Sequence, residues 1–294
     1  MNQNIKSVRS VFSPPTFHMV GDGFRVHNFF PSLPEIGMNG MSPWFLMDYG
    51  SKWTVPPSAT PKGVGVHPHR GFETVTIAYH GKVAHHDSAG NSGVIGEGDV
   101  QWMTAGSGVL HKEYHEKEFS RKGGVFQMVQ LWVNLPAKDK MTPAKYQAIE
   151  NNMMGKYILE DGKSVVDIIA GEYKGTKGPA FTFSPMSMLS AKLEKGVKTD
   201  FSFDKAYKTG MLVIEGKVNI NGINEGPENS FIYFNNDGEN ISVEATDKSI
   251  ILVLSGEPIN EPIASYGPFV MNTEAEIKQA YKDYYDGKFG YLED

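Results

Sequence analysis

The segment His67-Pro-His69-Arg-Gly-Phe-Glu73, followed further on by His111-Lys-Glu113, constrains the folding of this chain more than any other feature. On an extended strand, side chains at i and i+2 share one face. Two histidines so spaced, with a His and a Glu so spaced, let two strands of a barrel aim three imidazoles and a carboxylate at one point. All nine histidines lie between His18 and His115, so a histidine-rich site belongs to the first half of the chain. A metal centre is the leading expectation.

The donor set narrows the chemistry. There is no cysteine, which removes thiolate metal sites and a disulfide frame. Three neutral imidazoles and one carboxylate leave a bound divalent ion with roughly one net positive charge. Four protein ligands on an octahedral ion leave about two positions open, which suits a chelating anionic substrate, or substrate plus dioxygen. Nitrogen and oxygen donors suit Fe(II), Mn, Co, Ni or Zn, and Fe(II) is favoured because related His-plus-carboxylate sites hold non-haem iron. The residues themselves leave the carboxylate open. Glu73 shares the His67/His69 face if the strand stays regular, Glu113 shares the His111 face, and Gly71 is able to shift the phase through a bulge.

The remaining histidines carry weaker patterns. His85-His86-Asp87 is expected in a solvated loop, His80 and His115 at a turn and on the surface, and His18 and His27 have no partner pattern. Trp102 is expected in the core. Gly106-Ser107-Gly108 is a turn and not a phosphate loop, since no Gly-Lys-Ser/Thr follows.

At 294 residues there is room for one large or two ordinary domains. A formal charge of −6 argues against nucleic-acid binding by phosphate neutralisation. The N-terminal stretch carries no signal-type apolar run, and no apolar stretch is long enough to span a bilayer. A cytoplasmic location without membrane association is therefore expected.

Short segments rich in Val, Ile, Phe and Tyr recur at Phe72–Tyr79, Val125–Leu135, Val165–Ala170, Met211–Glu215 and Ile250–Leu254, the spacing of an all-β sandwich or barrel. Thr76–Val83 (TIAYHGKV) and Met211–Val218 (MLVIEGKV) echo each other as strands turning at a glycine, which predicts two copies of one barrel. The polar, proline-flanked stretch 137–143 marks the break. One domain is expected over 1–140 and a second over 155–294, the latter without an HxH pair and therefore free of metal. Helical periodicity is confined to the end. Thr273 and Glu276 fit a capping box, Ile277, Ala280, Tyr281 and Tyr284 form one apolar stripe, and Gly287 supplies a stop.

Taken together, HPHRGFETVT (67–76), GDVQWMTAGSGVLHKE (98–113), QLWVNLP (130–136) and YGPFVMNT (266–273) resemble the pirin family of the cupin superfamily, over nearly the whole chain. Two general cupin motifs are legible within them, from His67 to Gly81 and from Gly98 to His111. Thr104 stands where many cupins carry proline, a departure that pirins share. The resemblance implies an all-β fold of two tandem jelly-roll cupin barrels with a C-terminal helix, Fe(II) in the first barrel and no ligands in the second. It maps the ligands onto His67, His69, His111 and Glu113, with Glu113 also the candidate catalytic base, and leaves Glu73 a supporting role. It further implies one of two activities. The first is quercetin 2,3-dioxygenase chemistry on a flavonol or similar small aromatic with O2, releasing carbon monoxide. The second is iron-dependent regulation of a protein partner. A monomer is expected in either case.

Overall fold

The computed structural model describes residues 4–293. Strand accounts for 51% of the chain and helix for 8%, the balance of an all-β protein built from two tandem cupin barrels. The two compact units interleave in sequence. One comprises the chain up to Pro15, Asn39–Pro43 and Asn152–Pro258; the other comprises Thr16–Met38, Trp44–Asn151 and the segment from Ile259 onward.

Each unit pairs a seven-stranded sheet with a four-stranded one. In the histidine-bearing unit the larger sheet runs in the order Lys145–Ile149, Val100–Thr104, Phe72–His80, Gly124–Asn134, Trp44–Val55, Phe24–Phe30, His18–Val20. The smaller runs Gly63–His69, Val109–His115, Val83–Asp87, Ser92–Ile95. The other unit repeats this plan. Its Lys208–Glu215 strand, like Phe72–His80, has two partners within the larger sheet and ends at a glycine of positive φ, Gly216 at 77° and Gly81 at 83°. The echo read in the sequence is therefore one structural position occupied twice. The second unit is built around an apolar cluster that includes Leu189, Phe201, Met211, Val213, Ile232 and Val253.

Both chain ends depart from a simple division into consecutive halves. The Val8–Phe12 strand pairs with Phe231–Phe234 at the edge of the second unit's larger sheet. The terminal helix Glu274–Tyr285, expected with the second domain, belongs to the histidine-bearing unit. Its capping box forms as read, with Thr273 and Glu276 exchanging side-chain and backbone hydrogen bonds. Ile277 and Ala280 are buried. The reason for the placement is polar as well as apolar. Arg70, next to His69, donates to the Asp283 carboxylate at 2.8 Å and to the Ser107 carbonyl at 2.7 Å, and lies over the Phe289 ring. Upstream of the helix, the Ala264–Tyr266 and Phe269–Met271 strands form a hairpin whose tip is Gly267-Pro268.

The stretch 137–143, read as a polar linker, is anchored rather than free. Lys140 is buried, and its ammonium donates to the Gly71 carbonyl, Asn134 Oδ1 and the Val270 carbonyl at 2.8, 2.7 and 2.9 Å.

Candidate metal centre

His67 and His69 stand on the Gly63–His69 strand, and His111 and Glu113 on its neighbour Val109–His115. His111 is in register with His67, while Glu113 is opposite Val64, so an irregularity separates the two pairings. The slip falls at Gly65-Val66, and the Gly65 carbonyl turns to accept from His67 Nδ1 at 2.8 Å. His69 Nδ1 faces the Pro268 carbonyl at the hairpin tip, 3.4 Å away. Each carbonyl holds a proton on Nδ1 and leaves the Nε2 lone pair of that ring free.

The three rings close on one another, with centroids 4.2 Å apart for His67 and His111, 4.7 Å for His69 and His111, and 4.8 Å for His67 and His69. One nitrogen from each lies within 4.8 Å of the others. Burial lowers the pKa of all three, most strongly for His69 and His111. His111 is fully buried, and neither of its ring nitrogens has a hydrogen-bond partner among the described residues. A buried imidazole left so costs about 1–3 kcal/mol, a cost that a metal ion would remove. The donor set fits a divalent cation.

Glu113 lines the same cavity, but its oxygens stand outside the imidazole cluster. Gln130 Nε2 donates to Glu113 Oε2 at 2.7 Å, and Thr76 Oγ1 approaches Oε1 at 3.4 Å. Burial raises its pKa against these two contacts. The other glutamate is elsewhere. Gly71, at φ 87°, does not bulge the strand; it ends it, and Phe72–His80 begins in the opposite sheet. A Cβ at Gly71 would sit 2.0 Å from the Val270 carbonyl oxygen, so only glycine makes this corner. Along the new strand Thr76 faces the cavity. Glu73, an odd number of residues away, points to the other face, where Thr104 donates to it at 2.7 Å.

Burial pushes the Glu73 carboxyl up to about 7. A carboxyl whose pKa is raised on folding gives stability that is fully present below the unfolded value of about 4.3 and is lost as pH rises through the folded one. Between pH 5 and 7 the wild-type protein is therefore expected to lose on the order of 1.4 kcal/mol per pH unit relative to Glu73→Gln, whose side chain does not ionise. Denaturant titrations of both proteins across that range check this; parallel curves would reject it.

His85, His86, Asp87 and His115 overturn their expected positions: the first three lie in a strand, not a solvated loop, with Asp87 buried and His86 meeting the Tyr114 hydroxyl. His85 lies in the Val83–Asp87 strand and is fully buried, because that strand pairs with Val109–His115 and sets His85 opposite Glu113. Tyr146 Oη meets His85 Nε2 at 2.5 Å. Burial drives His85 down to about 4 and Tyr146 up to about 12, so the phenol keeps its proton and donates it to a neutral imidazole. His115 is also buried, packed on Phe24, Phe119 and Phe126 rather than placed on the surface. Trp102, fully buried, matches its reading, whereas His80, half-buried beside Glu97, is the last residue of the Phe72–His80 strand and not part of the turn.

The larger sheet contributes a polar row that no local motif announces. Asn28, Asp48, Gln130, Thr76 and Gln101 are successive cross-strand partners over five strands. Around it Val20, Phe24, Val26, Val64, Met128 and Trp132 give a cavity of about 220 Å³ its apolar walls, with Gly267-Pro268 along one side.

Comparison with known proteins shows the family. Residues 23–133 match the model of the pirin family, and residues 188–290 match that of the pirin C-terminal cupin domain. A Pseudomonas aeruginosa protein named "Putative quercetin 2,3-dioxygenase PA2418" is 43% identical, with 97% of this chain and 99% of that one aligned. Human pirin is 37% identical, with 92% and 90% aligned. A solved structure of quercetin 2,3-dioxygenase from Acinetobacter baumannii superposes with a TM-score of 0.92 at 47% identity, covering 98% of this chain and all of the other. With both of its barrels matched and relatives aligned from end to end, this chain belongs to the pirin family.

Proposed function

We propose that the cavity is the active site of a metal-dependent dioxygenase of the quercetin 2,3-dioxygenase type. In this reading His67, His69, His111 and Glu113 hold Fe(II), and a flavonol is opened by O2 with release of carbon monoxide. The observation that carries the proposal is the convergence of three neutral imidazoles, one with no partner of its own, on an apolar cavity. The names of relatives above 40% identity supply the substrate class. The absence of sulfur donors keeps Mn, Co, Ni and Zn as competing occupants, and Fe(II) is chosen by analogy with other His-plus-carboxylate sites.

When bound, the ion supplies Lewis-acid polarisation of the substrate oxygens and a common meeting point for substrate and O2. The chain does the rest. Phe24, Met128 and Trp132 exclude water and offer apolar surface to an aromatic ring. A cavity of about 220 Å³ is smaller than the roughly 300–1,000 Å³ of a drug-sized site, so one end of a flavonol enters while the remainder lies toward the mouth. Gln130 orients Glu113 through Oε2. That leaves Oε1, with only the long Thr76 contact, to take the proton of the substrate 3-hydroxyl.

Anaerobic purification with elemental analysis, followed by quercetin turnover in air, tests the proposal. About one metal per chain, loss of the visible absorbance and release of carbon monoxide are expected. One metal per chain with no turnover would replace this reading with that of an iron-dependent regulatory module.

A further inference from the structure

Asp48 is a second carboxylate in the cavity, and the proposed chemistry does not use it. It lies on the Trp44–Val55 strand, directly opposite Gln130 on one side and Asn28 on the other. Its side chain therefore shares the inner face with Gln130, and it lines the cavity together with His67, His69 and Glu113. Asp48 is only 9% exposed. Oδ1 accepts from Asn28 Nδ2 at 2.8 Å, and no group of the described chain donates to Oδ2. Val20, Phe24 and Val26, which carry no side-chain donor, line the same wall, and the His18 imidazole acts on the carboxylate electrostatically without a hydrogen bond to it. Burial raises its pKa, as befits a carboxylate short of hydrogen-bond donors. The other carboxylate of the cavity is better served: Glu113 accepts from Gln130, which also donates to Thr76.

We infer that Asp48 is a specificity-determining residue that accepts a hydrogen bond from a further hydroxyl of the substrate, one distinct from the 3-hydroxyl. The inference rests on the dioxygenase reading for the identity of the ligand, and adds to it the part of the ligand that is recognised. Counting a divalent ion on the imidazoles, the Glu113 and Asp48 carboxylates leave the cavity with no net positive charge, which disfavours multiply charged anions such as phosphates and favours molecules rich in hydroxyl donors. A polyhydroxylated flavonol presents such a donor to Oδ2; 3-hydroxyflavone, which keeps only the 3-hydroxyl, presents none. A hydrogen bond to a charged acceptor corresponds to about a tenfold to a hundredfold difference in affinity.

The test is binding, read by quenching of tryptophan fluorescence in the Zn(II)-loaded protein, with quercetin and 3-hydroxyflavone as the two probes. The wild type is expected to prefer quercetin by about tenfold to a hundredfold. Asp48→Asn, which keeps the size of the side chain, and Asp48→Ser are both expected to shrink that ratio to within about threefold. An unchanged ratio in both variants, equal weakening of the two ligands, or no preference in the wild type would overturn the inference. Oxygen consumption by the Fe(II) protein is scored separately. A ratio that collapses in the variants while no flavonol is turned over would uphold Asp48 as the recognition group and reject the dioxygenase.

Discussion

His111→Ala protein is expected to purify without metal and to leave quercetin intact. His111 packs against both of the other imidazoles, and its strand is hydrogen-bonded on both flanks, to Gly63–His69 and to Val83–Asp87. Its removal therefore takes away a donor without releasing the backbone that aims the others. Loss of a mere supporting partner of a metal ligand lowers affinity about 10–100-fold, so loss of a ligand is expected to lower it by at least about a hundredfold. The metal-free form should keep nearly its wild-type stability, because the imidazole removed has no hydrogen-bond partner among the described residues and its burial costs as well as contributes. Elemental analysis after anaerobic purification, with thermal unfolding of metal-free wild type and variant, checks both halves. A full equivalent of metal in the variant would remove His111 from the centre.

The second large effect is structural. Lys140→Met is expected to destabilise the histidine-bearing unit by about 3–5 kcal/mol, the sum of the penalties for its unmet buried acceptors after partial relaxation. The ammonium meets three acceptors at 2.7–2.9 Å, one for each of its protons. Burial pushes its pKa down to about 8, which leaves it mostly protonated at pH 7. Methionine fills similar space and leaves three buried acceptors without a donor, at about 1–3 kcal/mol each before relaxation. Two of those acceptors are the carbonyls of Gly71 and Val270, so the corner after His69 and the hairpin carrying Pro268 should loosen together. Chemical denaturation gives the stability change, and metal titration reads the loosening as weaker binding. A loss below about 1 kcal/mol would mean that water replaces the ammonium without strain.

The candidate site was only partly legible beforehand, for reasons specific to its residues. His67, His69 and His111 were recognisable because two-residue spacing survives in any strand and both pairs lie within single strands. Glu73 remained a rival only while one strand was assumed to continue through Gly71. The corner at Gly71 turns that strand into the opposite sheet and sends Glu73 to the far face. His85 and His115 looked like loop and surface residues, since polar residues beside Gly81-Lys82 read as a turn. Pairing with Val109–His115 carried His85 inward, and aromatic packing covered His115.

What the sequence determined by itself is whatever repeats within a few residues along one chain segment. That includes the strand phase of the two histidine pairs, the twice-used strand-to-glycine turn and the capping box of the terminal helix. Tertiary structure alone decided which segments became neighbours. Asn28, Asp48, Thr76, Gln101 and Gln130 share one polar row although they come from five strands. Arg70 finds Asp283, and Lys140 ties Gly71 to Val270. The physical reason is that side-chain alternation is a property of the local backbone, whereas register between strands minimises the free energy of the whole sheet and its buried polar groups at once.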